Sequence, residues 1–199
     1  MSKRAPSPAD PAAAQFRVIK DITQALGRKL AAGASEGLGR PVPVFFAYEE
    51  GLRKKGALTV VQVALSGRGG NAEREYERAP DGTEQFRNPP LLLRAHYLIS
   101  AWDTPPEDQV LLGVAIRTLH DDAELQTEGD EEHTVSYDGR PSLELRALPF
   151  EEHKARAEAF QMPIAPSVEL TVDFVIRSAR LQTIKRVKER VMDFRKIDG

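Results

Sequence analysis

His96, Ser100 and Asp103 bring the side-chain types of a nucleophilic hydrolase into one short stretch of this chain. Such chemistry needs a hydroxyl, its imidazole base and an orienting carboxylate converging on one reacting atom. These three lie on an apolar run that reads as extended, where residues four apart stand about 13 Å from each other. No nucleophile elbow accompanies them. The stretch therefore reads as packing rather than catalysis. His120, Asp121 and Asp122 offer three metal donors at one point, which is too few to close a site. His133 and His153 add no ligand spacing. A helix C-terminus, where His120 meets the last carbonyls, accounts for that cluster. The glycine-rich stretches GASEGLGR and SGRGGN lack the Gly-Lys-Ser/Thr of a phosphate loop and read as flexible connections. No catalytic residue, metal site or cofactor is expected, and the chain reads as a non-enzyme.

The elements that would hold these residues are clearer than any chemistry. LLLRAHYLISAW (91–102) reads as the central strand. Leu91, Leu93, Ala95, Tyr97, Ile99 and Ala101 share one face, with Leu92, Leu98 and Trp102 on the other. A corner follows in which Thr104, Pro105 and Glu107 suggest a capping box, with Thr104 as N-cap. The helix then runs to about His120. Leu111, Leu112, Val114, Ala115, Ile116 and Leu119 form its broad apolar stripe. From these two elements the core is expected to include Tyr97, Ile99, Trp102, Leu112, Ile116 and Leu119.

Around that centre, residues 11–31 read as a helix ended by Gly33, with GASEGLGRP (33–41) as a loop. PVPVFFAYE (41–49) contains Pro43 and suits a sheet edge. LTVVQVAL (58–65) is β-branched and reads as a strand. Residues 66–90 form a long connection or a hairpin extension turning at Asp81-Gly82. A short strand is expected at HTVSY (133–137), a strand at 142–148 and a short helix at 150–160. SVELTVDFVI (167–176) alternates as a half-exposed strand with Glu169, Thr171 and Asp173 on the wet face. The chain is expected to finish as a short basic helix and a loose arm. The fold class is α/β (α+β), a single mixed sheet packed by helices. Residues 1–10 are a disordered lead-in, 11–180 one domain and 181–199 the basic helix and arm.

Composition narrows the class further. The 199 residues are 41% apolar and 29% charged, without cysteine. Disulfides and thiolate metal sites are excluded. No apolar run approaches a membrane span, so no membrane insertion is expected. The net charge of -2 conceals an asymmetry. Residues 120–152 carry eleven acids against Arg140 and Arg146, while residues 177–199 carry eight bases against three acids. Both segments could simply be solvated faces. They could also meet between subunits of an oligomer. On that reading Arg180, Lys185, Arg186, Lys188, Arg190, Phe194, Arg195 and Lys196 face Asp121, Asp122 and Glu124. Nucleic-acid binding is not expected, because Phe194 alone interleaves the bases and the whole chain is slightly acidic.

Residues 91–125 also resemble a known family. His96, Tyr97, Leu98, Ala101 and Trp102 match its HYLxxAW strand end. Pro106, Glu107 and Asp108 match its acidic corner, and Leu112, Gly113, Ile116, Leu119 and His120 match its helix. LPFEEHKARAEAF with PSVELTVDFVI, and FRVIKDITQAL, resemble further blocks. The family is that of the cap, or tail-terminator, proteins of bacterial contractile injection systems, phage-tail-like particles. The short helix departs from it, with Arg156-Ala157-Glu158 where a tryptophan is common. The resemblance implies a fold similar to phage tail terminators and a hexameric ring of identical subunits. It implies sheath and inner-tube proteins as partners, and the role of closing the tube end. It also implies assembly in the bacterial cytoplasm, with the particle extracellular after release. Alternatives from other classes are a hydrolase or nucleotide-binding α/β domain, and an assembly adaptor absent from the mature particle.

Overall fold

The computed structural model describes residues 18–67, 75–122, 125, 142–176 and 181–183. The helices are α1 (Val18–Leu38), α2 (Leu52–Lys55), α3 (Glu107–Asp121) and α4 (Phe150–Ala159). The strands are β1 (Val44–Phe45), β2 (Ala57–Gly67), β3 (Glu75–Arg78), β4 (Glu84–Arg87), β5 (Leu91–Trp102), β6 (Ser142–Arg146), β7 (Ser167–Ile176) and β8 (Leu181–Thr183). Five strands form a mixed sheet in the order β1-β2-β5-β7-β6, with β5 at its centre. Only β1 and β2 run parallel; the other pairings are antiparallel. This is the expected mixed sheet, and among the described residues a second, smaller sheet accompanies it. The hairpin β3–β4 and strand β8 make a separate three-stranded sheet.

The hairpin turns where the sequence suggested. Gly82 takes a left-handed φ of 82°. Asp81 Oδ1 accepts from the Thr83 N–H at 2.9 Å, and the Ala79 N–H donates to the Thr83 carbonyl at 2.9 Å. An Asx-type contact and a residue free of Cβ are what such a turn requires. Residues 181–183, read as the start of a basic helix, are strand instead, because Gln85, Phe86 and Arg87 of β4 pair with them. The remaining C-terminal residues and the strand expected at 133–137 lie outside the described residues.

One face of the large sheet carries the main core. Leu58 and Val60 of β2, Ala95, Tyr97, Ile99 and Ala101 of β5, and Leu170 and Val172 of β7 pack beneath α1 and α3. Alternation along each strand puts every second residue there. Tyr97 is fully buried, and its hydroxyl lies 3.0 Å from Thr23 Oγ1 on α1. Thr23 in turn donates to the Ile19 carbonyl at 2.7 Å.

Helix α1 does not stop at Gly33. It continues through GASEGL to Leu38, and Gly39, with φ of 63°, follows it. The glycines read as loop flexibility serve close packing. A Cβ on Gly33 would collide with the Thr118 side chain, and one on Gly37 would come within 2.6 Å of Val114 Cγ1. Small residues at i and i+4 let α3 approach the α1 backbone. Tertiary contact thereby overrides the weak helix propensity of glycine.

The corner before α3 also differs from expectation. The N-cap is Pro106, and Thr104 makes no side-chain cap. Both backbone groups that a capping box would use are already taken. The Glu107 N–H donates to the Thr104 carbonyl at 2.7 Å, and the Thr104 N–H to Asp103 Oδ1 at 2.8 Å. The Pro105–Pro106 peptide is cis.

Candidate functional site: a charged cage on the second sheet face

The other face of the large sheet is divided. Near the end of β5 it is apolar. Trp102, Leu98, Val61 and Ala57 pack with Leu52, Met162 and Ala165. Trp102 Nε1–H donates to Thr59 Oγ1 at 3.0 Å, and the Tyr48 ring lies 4.9 Å away, tilted by 45°. The Arg53 guanidinium lies over the Trp102 ring at 5.9 Å, and its Nη2 reaches the Ile164 carbonyl at 3.4 Å. Asp103, just beyond, pairs with Arg40 at 2.6 Å. Gly56 sits beneath that pair with φ of 57°, where a Cβ would meet the Arg40 guanidinium at 2.6 Å.

Toward the start of β5 the same face turns polar, and charges are buried in it. Glu169, read from its alternation as a wet-face residue, is 1% exposed. Thr171 is buried beside it. Glu169 Oε1 faces His96 Nδ1 at 2.8 Å and Arg156 Nη1 at 3.1 Å. Its Oε2 accepts from Arg146 Nε at 2.8 Å, and Arg146 Nη2 reaches Glu152 at 2.8 Å. The cage thus joins β5, β6, β7 and α4. Burial alone would raise the Glu169 pKa, but His96, Arg146 and Arg156 outweigh it and hold the carboxylate below its ordinary range. The Arg146 guanidinium is correspondingly driven up, first by its hydrogen bond to Glu169. One register step along, Arg94 and Asp173 pair directly across β5 and β7, at 2.6 and 2.8 Å. A bulge in β2 between Gln62 and Ala64 shifts the register so that Ser66 joins this face. Ser66 Oγ lies 3.4 Å from His96 Nε2.

The hydrolase set considered from sequence does not assemble. His96 faces Glu169, Ser100 Oγ lies 2.8 Å from Ser167 Oγ, and Asp103 binds Arg40. The three point to three different environments. Ser66, His96 and Glu169 do fall in line across β2, β5 and β7. The acid there is shared with two guanidiniums, which draws its charge away from the imidazole. The line braces the sheet. Among the described residues no group of three or more His, Asp or Glu could hold a metal ion.

Of the expected core residues, Tyr97, Ile99, Trp102 and Leu119 are buried, while Leu112 and Ile116 are half-buried on the flank of α3. Of the expected interface residues, Asp121 and Asp122 lie at the exposed end of α3. Asp122 pairs with Lys29 of α1 at 2.5 Å, and His120 Nδ1 lies 3.5 Å from Asp121. His120 points into solvent rather than back onto the helix end, with 82% of its side chain exposed. Glu124, Arg180, Lys185, Arg186, Lys188, Arg190, Phe194, Arg195 and Lys196 lie outside the described residues. Sequence reading missed Glu169, Arg146 and Arg156 as a unit, since they sit far apart in the chain. The available signal was a carboxylate on a strand whose cross-strand neighbours carry His96 and Arg146.

Comparison with known proteins decides the lineage. The family model described as the Pvc16 N-terminal domain matches residues 21–189. The chain belongs to that family. The fold of this chain is similar to that of solved structures. One is the sheath/tube terminator of PVC, an extracellular contractile injection system, solved by cryo-electron microscopy in the extended state. It is 10% identical with a TM-score of 0.62, over 90% of this chain and 65% of that one. Another is the tube-terminating cap of the anti-feeding prophage, 15% identical with a TM-score of 0.59, over 88% of this chain and 61% of that one. The chain thus spans a little under two thirds of these relatives. At such identities the likeness establishes the fold, a mixed α/β sheet shared with tail terminators. No curated protein matches the sequence. Among the described residues, no helix is long and apolar enough to cross a membrane.

Proposed function

We propose that this chain is a structural cap of a contractile injection system, which closes the end of the inner tube and contacts the last sheath ring. The observation that carries this reading is the family match, joined to a fold shared with two proteins described as terminators. The architecture suits a mechanical role. The sheet is cored on the helix side and braced by ion pairs on the other, which keeps its surfaces in fixed relation under load. A non-enzymatic role is supported by the two neighbours, which are described as terminator and cap proteins. The subunits form a ring, taken as a hexamer, whose contacts are heterologous and close by rotation. Acidic residues of 120–152 in one subunit meet basic residues of 177–199 in the next. The ring forms in the bacterial cytoplasm and travels with the particle. Tube length tests this reading. Cells lacking the chain should produce tubes and sheaths of uncontrolled length, restored by supplying the chain. Particles of normal length and stability in its absence would refute the cap.

A further inference from the structure

Helix α4 is attached differently from the other long helices. α1 buries Val18, Ile22, Leu26 and Leu30, and α3 buries Leu111, Ala115 and Leu119, all within the core beneath the sheet. Of α4 only Ala157 is buried, and among the described residues neither apolar cluster includes a residue of this helix. Phe150 and Phe160, at its two ends, are exposed. The apolar anchors lie outside the helix. Leu148 precedes it, Met162 and Ala165 follow it, and all three pack in the cluster around Trp102.

The side chains that tie α4 to the sheet are charged. Glu152 reaches Arg146 at 2.8 Å, but that pair is half-exposed and contributes little. Arg156 faces Glu169 at 3.1 Å, and its Nη1 is buried there without an aligned hydrogen bond, so the attraction is Coulombic. Glu169 also has His96 on β5 and Arg146 on β6 as aligned partners. Withdrawing Arg156 therefore leaves the carboxylate paired and the strands joined. The end of the helix adds strain. Gln161 takes a left-handed φ of 52°, a conformation that favours glycine, while the Met162 N–H donates to the Ala157 carbonyl at 2.8 Å. A segment with few buried apolar contacts and a strained terminus opens at low cost.

We propose that α4 is a releasable strap: residues 149–161 open as one unit while the large sheet and both apolar clusters stay closed, and the Arg156–Glu169 pair is the catch. Hydrogen exchange of the purified full-length chain at neutral pH, read by mass spectrometry, tests this. In the wild type, peptides covering 150–160 should exchange faster than those of α1, α3 and β7. Arg156→Met should accelerate 150–160 about tenfold and leave α1, α3 and β7 unchanged. Arg156→Lys keeps the charge and should return exchange most of the way to wild type. Equal protection of α4 and α1 in the wild type would overturn the proposal. So would an Arg156→Met chain that accelerates every element alike, leaves α4 unchanged or fails to fold, since each makes the pair part of the global core or irrelevant to α4. Exchange in Arg156→Lys as fast as in Arg156→Met would equally refute a Coulombic catch. The measurement involves neither tube nor sheath, so its outcome is independent of the cap reading.

Discussion

The two faces of the large sheet are built from the same strands by opposite means. On the helix side, Ile99, Leu170 and Val172 meet α1 and α3 in a continuous apolar layer. On the other side, an apolar cluster surrounds Trp102, and beside it Glu169 lies among His96, Arg146 and Arg156. Apolar packing carries no titrating group, so it does not depend on pH, and it tolerates local change at a cost set by volume. The cage depends on charge state, and each member requires the others. One face supplies bulk stability. The other fixes the edge strand β6 and helix α4 to the sheet.

The contrast can be broken most directly from the apolar side. Leu170→Ala empties a fully buried site on the helix face of β7, and should destabilise the chain by about 4 kcal/mol. Urea denaturation should return nearly the same loss at pH 5 and pH 8. Glu169→Gln removes the buried charge and leaves its partners opposing one another. A loss of about 3 kcal/mol is expected at pH 7. Here pH separates the faces. Because the folded pKa of Glu169 lies below its ordinary value, its contribution is full above that ordinary value. The contribution disappears as pH falls through the folded pKa. The difference between wild type and Glu169→Gln should therefore shrink on acidification, whereas that for Leu170→Ala should not.

A smaller effect sharpens the helix side. Gly33→Ala forces α1 and α3 apart at Thr118, for a loss of about 2 kcal/mol, read as a lowered melting temperature. Smallest is Thr104→Ala, expected within about 0.5 kcal/mol of wild type. A loss near 1 kcal/mol there would restore the capping box in place of the backbone turn.

The same division explains what could be read from the chain. Period-two alternation in 91–102 and 167–176 marks the helix face of the sheet, and the central position of β5 followed from its two apolar faces. The hairpin at Asp81-Gly82 was legible because turn chemistry is local. Gly33 was misread because the reason for it, Thr118, is distant in sequence. Glu169 was misread for the same reason. Alternation identifies a polar position but does not say whether its partners are water or arginine. The cage became visible only when β6 and α4 were placed beside β7. The opposed charges of 120–152 and 177–199 were legible in the sequence, and the greater part of both segments lies outside the described residues.

Cryo-electron microscopy of particles assembled with the tagged chain tests the central claim most directly. The account predicts density for this chain as a ring at one end of the particle, contacting the last tube and sheath layers. Density distributed along the shaft, or particles complete at both ends without the chain, would contradict it.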